Sequence, residues 1–274
     1  MLRILLVCAL LLCSGCSTMR FAYNNADVFL RWHAGRYLDV HGAQSEELDA
    51  RIGAFLAWHR ANALPQYARL TTEAGSRFAR GLSQEDLVWG YDSLQAQLRE
   101  SVRAGAVEGG DLLDRLTPEQ IEHLERRIAE DNRKFAREYL SGTVDERRRR
   151  RLKRNLERLE EWFGGLSEVQ VERVRQYSER APFTDACRDR ERKRLQAELL
   201  AMLRARQARA RLADWAVDWE RGRDAAHAAA ARAQRTEYFA MLLDLAKTLT
   251  PEQRQAAEGR FRELASDFEQ LARK

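Results

Sequence analysis

The side chains that most often carry chemistry are sparse in this chain. Five histidines, His33, His41, His59, His123 and His227, stand far apart, and the one ligand-like local spacing is Glu119 with His123 at i, i+4. Two donors do not fill a zinc or transition-metal site, which takes three or four. Pairs of this kind also arise by chance in a Glu-rich helix. No HExxH, GxSxG, Walker loop or GxGxxG after a strand occurs. Acidic residues mostly alternate with arginines at helical spacing, the pattern of a solvated face. No catalytic residue, metal ligand or cofactor is therefore assigned. A site assembled from carboxylates or His59 on distant helices stays open as an alternative.

Charge gives a sharper signal. Arg147, Arg148, Arg149, Arg150, Arg151, Lys153 and Arg154 put seven cations into eight residues. Such a run attracts polyanions through a screened field. The competing reading is a solvated helix face, with Glu157, Glu160 and Glu161 pairing back along it. Across the chain 42 residues are Arg and 5 are Lys, with a formal net charge of +5. Trp215 and Trp219, four apart on an otherwise polar stretch, would form a contact patch if exposed. Trp32, Trp58, Trp89 and Trp162 fall on or beside apolar stripes and are expected in the core.

The elements that position these residues are helices. The chain has 274 residues, 45% of them hydrophobic and 32% charged, with only 4 prolines and 15 glycines, which excludes collagen-like and Pro/Gly-rich disordered classes. Apolar residues step by three and four almost throughout, as in Leu48, Ile52 and Phe55, in Leu87, Tyr91, Leu94 and Leu98, and in Phe261, Leu264, Phe268 and Leu271. No segment alternates with a period of two. The fold class expected is all-α, an irregular bundle of roughly eight to ten helices, elongated in one version.

Helix starts recur. Leu116-Thr117-Pro118-Glu119-Gln120 and Leu249-Thr250-Pro251-Glu252-Gln253 are one pentapeptide, Leu166-Ser167-Glu168-Val169-Gln170 is a third version, and Leu82-Ser83-Gln84-Glu85-Asp86 a looser fourth. The hydroxyl residue caps, Pro suits the first turn and Gln closes a capping box. Their unequal separations argue against a regular solenoid. Breaks are expected near Gly42, Asn62 to Pro65, Gly105 to Gly110, Ser141 to Gly142, Gly164 to Gly165 and Ala181 to Phe183. Glu179 to Arg190, with Pro182, reads as a hinge between regions 16–181 and 182–274, unless the two form one domain. From Arg192 to Ala231 one long, partly exposed helix is expected.

The N-terminus carries an address. Arg3 precedes an unbroken apolar run from Ile4 to Leu12, too short to span a bilayer. Leu12-Cys13-Ser14-Gly15-Cys16 follows and resembles a bacterial lipobox, although the Leu stands one place early. The resemblance implies cleavage of residues 1–15 and lipidation of Cys16, with several acyl chains giving a durable anchor. An ordinary secretory signal cleaved nearby is the alternative. Ser17 in place of Asp resembles the sorting signal for the outer membrane, facing the periplasm. Of the four cysteines this leaves only Cys187 as a free thiol, a bystander in a polar stretch.

Two wider resemblances follow. Phe21 to Asp27 and Trp58 to Leu70, with the segments at Leu116 to Gln120 and Trp162 to Gln170, resemble a family of Gram-negative lipoproteins of unknown function, along most of the chain. That resemblance implies the address and no activity. His59 and Arg60 are polar residues there without an evident role. The Leu-Thr-x-x-Gln motif is similar to that of small, unanchored periplasmic helical chaperones. The function expected is a lipid-anchored periplasmic protein that binds envelope proteins, cell-wall polymer or anionic headgroups, in envelope maintenance or a chaperone-like role, with no nucleic acid. An envelope-modifying enzyme and a structural spacer are the alternatives.

Overall fold

The computed structural model describes residues 15–273, so the expected signal segment lies outside the described residues apart from Gly15. The described chain is all-α with no strand, and its twelve α-helical segments make eleven continuous rods because a π turn joins two of them. In order they are α1 (Gly15–Asn24), α2 (Ala26–Leu38), α3 (Ala43–Trp58), a π turn (His59–Ala63), α4 (Leu64–Ala79), α5 (Gln84–Asp114) and α6 (Pro118–Phe135). A second π turn (Ala136–Leu140) follows, then α7 (Val144–Phe163), α8 (Glu168–Arg180), α9 (Asp185–Arg204), α10 (Ala208–Val217), α11 (Ala225–Thr248) and α12 (Pro251–Ala272). The π turns continue the rods α3–α4 and α6 without a gap.

Reciprocal capping boxes start α5, α6, α7, α8 and α12, from Ser83, Thr117, Thr143, Ser167 and Thr250. The Thr143–Glu146 box is the one not singled out in the sequence. In three of the five, the capping glutamine has a second task. Gln170 donates to Gln253 Oε1 at 2.8 Å and Gln253 donates to Gln170 Oε1 at 3.0 Å. Each also donates to the carbonyl just before the other's motif, Thr248 and Gly165. The two helix starts are thus clasped face to face, with Gln170 fully buried.

The same clasp recurs between α3 and α6. Gln120 donates to Gln44 Oε1 at 2.7 Å and to the Asp39 carbonyl, while Gln44 donates to Gln120 Oε1 at 3.4 Å and to the Arg115 carbonyl. Val40-His41-Gly42-Ala43-Gln44 is therefore a degenerate fifth copy, keeping only the buried apolar residue and the glutamine four places on.

Each clasp sits beside its own core. The first joins Leu48 and Ile52 of α3, Leu112 of α5, Ile121 and Leu124 of α6, Leu200 and Leu203 of α9 and Leu212 of α10. The second joins Leu159 of α7, Val174 and Tyr177 of α8 and Met241 and Leu245 of α11. A smaller cluster of Phe78, Leu249 and Ala257 extends it to α4 and α12. The rods α3–α4 and α5 run from one core to the other. Helices α9 and α10, beyond Pro182, complete the first core, so the regions on either side of the expected hinge interleave.

Several expected breaks are absent for physical reasons. Helix α5 runs straight through Gly105 and Gly110, because these glycines admit neighbours rather than end the helix. A Cβ on Gly110 would lie 2.9 Å from Arg209 Cα, and one on Gly105 would touch Phe55. The adjoining Asp114 carboxylate caps α10 by accepting from the Ala208 and Arg209 amides. At Asn62 to Pro65 the rod continues because the π turn widens it, the Leu64 amide bonding back five residues to His59. A proline interrupts the normal four-residue bonding, and a π bulge is one relief. Conversely, the single helix expected from Arg192 to Ala231 is broken twice, with left-handed residues at Arg206 (φ 52°) and Gly222 (φ 73°).

Candidate ligand cleft

Helix α7 sorts the basic run by periodicity. Arg147, Arg150, Arg151, Arg154 and, one turn on, Arg158 share one face and line a cleft of 660 Å³. Arg148 and Lys153 point elsewhere, towards Asp145 at 3.3 Å and Glu157 at 3.8 Å, while Arg149 is exposed and lines no part of the cleft. The pairing back to Glu157, Glu160 and Glu161 is thus limited to Lys153 among the ion pairs of the described residues. Helix α9 adds Arg188 and Asp185, α11 adds Arg235, and Glu138 completes the charged lining. Seven arginines face two carboxylates, while Tyr91, Tyr139, Tyr177, Phe183, Tyr238 and Phe239 supply aromatic wall.

Arg151 is the central observation. It is 7% exposed. Its Nη2 donates to the Ser178 carbonyl at 2.9 Å and its Nη1 to the Pro182 carbonyl at 3.3 Å, and its Nε makes no hydrogen bond. No carboxylate of the described residues lies within ion-pair distance of it. Burial pulls its pKa below the usual arginine range. Its guanidinium stacks on Phe183 at 4.2 Å, and that of Arg147 lies 4.1 Å from the same ring. Arg147 pairs with Asp185 at 3.2 Å, and Asp185 is also 3.5 Å from Arg188. One carboxylate thus serves two arginines. Burying a charge is costly unless it is paired. An arginine fork stacked on an aromatic ring is a strong, planar receptor for carboxylate or phosphate oxygens.

A second cleft, of 410 Å³, shares Tyr91, Arg158, Tyr238 and Phe239 with the first. Its wall is apolar: Leu87, Trp89, Leu94, Trp162, Phe163, Leu242 and Phe261 among others. Apart from Arg158, its only charged residues are Arg77 and Asp86, which pair with each other at 2.9 Å. Tyr91 and Leu94 of the α5 stripe face this cleft, with Leu94 49% exposed. Trp89 and Trp162 line it, Trp58 is half-buried beside Phe55, and Trp32 is exposed instead of lying in the core.

The remaining expected residues are dispersed. Trp215 packs against the first core and donates to Glu198 at 2.8 Å, and Trp219, in the turn after α10, lies under Arg99 at 5.1 Å. Both are half-buried, so the condition for a patch is not met. His123 bonds the Arg36 carbonyl rather than Glu119. Cys187 is free, with Arg190 donating to its Sγ. Cys16 is the second residue of α1, and its side chain lies outside what is described.

His59 and Arg60 gain a role. His59 Nδ1 is 2.7 Å from the Tyr23 hydroxyl, and Arg60 stacks on Tyr23 and donates to the Leu271 carbonyl. Together they fasten α1 and the end of α12 to the π turn. Burial and Arg60 hold the His59 pKa below the ordinary value.

No curated protein and no solved structure matches this chain. The model of a family of unknown function, DUF6279, matches residues 36–221, which include the cleft wall formed by α7, α8 and α9. That match covers more than half of the sequence, and the chain belongs to this family.

Proposed function

We propose that this chain is a lipid-anchored binding protein, held to the periplasmic face of the outer membrane through Cys16, that captures an anionic ligand of the envelope in its arginine-lined cleft. The lipobox-like Leu12 to Cys16 segment, with Ser17, supports the address. The single observation behind the ligand is Arg151, a buried guanidinium among further arginines without a carboxylate of its own. An anion of phosphate or carboxylate type would supply the missing countercharge and accept from several forks at once. The two acids of the cleft are already engaged, Asp185 by Arg147 and Arg188 and Glu138 by the Tyr139 hydroxyl, and His59 lies elsewhere, so the lining favours binding over envelope-modifying catalysis.

Two experiments test this reading. Isothermal titration with inorganic phosphate and pyrophosphate is expected to give saturable binding that weakens with added salt and is lost in Arg151→Met. Equal binding by that variant, or none by the parent chain, overturns the anion assignment. For the address, Cys16→Ser is expected to abolish incorporation of labelled palmitate and to release the protein from outer-membrane fractions. Retention of both would remove the anchor from the proposal.

A further inference from the structure

We infer that the ligand is an amphiphile, a phosphate- or carboxylate-headed molecule whose acyl chain lies in the apolar cleft between α4, α5, α7, α11 and α12. This rests on the anion reading above and adds the chemical class of the ligand. Three observations carry it. The two clefts share Tyr91, Arg158, Tyr238 and Phe239 as walls and are therefore immediate neighbours. Their chemistries are opposed, with arginines concentrated in one and hydrocarbon walls in the other, the division found in an acyl anion. The residues at the boundary are amphipathic: Tyr91 and Tyr238 combine a ring with a hydroxyl, and Arg235 lies 4.6 Å over Tyr91. Pockets of about 300–1,000 Å³ are the size range of small-molecule sites, and both clefts fall within it.

Part of the apolar wall is left uncovered by the chain itself. Helix α5 leaves Leu94 49% exposed there, although the same helix buries Leu112 fully at its other end. Exposed apolar stripes of this kind are costly in water and commonly mark a binding groove. Water would leave Leu94 and Trp89 solvated, whereas a hydrocarbon chain would cover them while its headgroup meets Arg151 and Arg154. A neutral chain would forgo the arginines, and a bare anion would forgo the groove.

The test uses the chain from Ser17 to Lys274; all buried core residues lie between Val40 and Leu271, so the folded body is retained. Dodecyl phosphate, inorganic phosphate and dodecyl maltoside are titrated separately, below their micelle concentrations. Dodecyl phosphate is expected to bind at least about tenfold more tightly than inorganic phosphate, because part of its chain leaves water, and to do so with a change in tryptophan emission from Trp89 and Trp162. Leu94→Asn, at an exposed position that the fold does not need, is expected to remove most of that advantage while leaving phosphate binding unchanged. Phosphate binding without a chain-length advantage overturns the amphiphile and leaves the anion reading standing. Failure of phosphate and dodecyl phosphate alike removes both. Equal binding of dodecyl maltoside overturns the charge selection. Vesicles of phosphatidylglycerol in phosphatidylcholine then separate the sources: a one-to-one lipid adduct by native mass spectrometry assigns a membrane lipid, and dodecyl phosphate binding without an adduct assigns a free acyl anion.

Discussion

The two cores are built on the same device and differ in what they do with arginine. Each sits beside a pair of glutamines that clasp two helix starts. Around the first core, arginines are neutralised in place: Arg51 faces Glu47, Glu108 and Asp111, Arg115 also reaches Glu47, and Arg204 meets Glu125. Around the second, the cleft keeps Asp185 for Arg147 and Arg188, while Arg150, Arg151, Arg154, Arg158 and Arg235 each form no ion pair among the described residues. An abundance of one residue type therefore says little by itself. The placement of its counterions separates a solvated scaffold from a receptor.

The clasps break this comparison most strongly. Gln170→Leu strips partners from the buried Gln253 amide and the Thr248 carbonyl, and at about 1–3 kcal/mol per stranded group is expected to cost about 3 kcal/mol in denaturant unfolding. Gln44→Leu, on the half-buried clasp, is expected to cost about 1 kcal/mol. Equal losses would mean that the two clasps are energetically alike despite their different burial.

Anion binding gives the next effect. Phosphate at 100 times its dissociation constant is expected to stabilise the parent chain by about 2.7 kcal/mol, read as a rise in melting temperature, and to do nothing for Arg151→Met. Arg51→Met, by contrast, removes an arginine that already has its carboxylates. It is expected to cost less than about 1 kcal/mol, as exposed pairs do, and to leave the phosphate effect intact.

Packing glycines sharpen the comparison further. Gly110→Ala pushes a Cβ to 2.9 Å from the Arg209 backbone, whereas Gly105→Ala meets only the Phe55 ring edge at 3.6 Å, an ordinary van der Waals contact. After the helix propensity gained by alanine, the first is expected to cost about 1 kcal/mol and the second close to nothing. Thermal unfolding of the two variants checks the order.

The smallest effect is the pH dependence of the π turn between the cores. His59 has a folded pKa below 6.5, so the unfolded chain binds the proton more readily. Its contribution is complete above pH 6.5 and declines as pH falls from there through the folded value. His59→Gln should flatten the melting temperature across that window. An unchanged slope in the variant would assign the dependence to another group, such as the similarly buried His227.

Much of the scaffold was legible in the sequence, because capping boxes and 3.6-residue periodicity are local. The starts of α5, α6, α8 and α12 fall where Ser83, Thr117, Ser167 and Thr250 place them. Gly105 and Gly110 misled because glycine marks both a break and a close approach, and only the position of α10 distinguishes the two. Pro65 misled for a similar reason, since a π turn absorbs it. The basic run was visible, but its division into cleft-facing and outward residues depends on α9 and α11 arriving beside α7. The apolar cleft was hidden altogether: Leu87, Tyr91 and Leu94 read only as part of a helical stripe, since a stripe looks the same whether or not another helix covers it. Val40 to Gln44 kept too little of the motif to be found without its partner in view.

The Phe183 ring gathers the guanidiniums of Arg147 and Arg151, one turn apart on α7, onto a single neutral surface in the segment leading into α9. Two like charges of one helix thus share one aromatic anchor, and the repulsion between them is screened by the surrounding electrolyte. Ionic strength alone should tune how readily the site admits its guest.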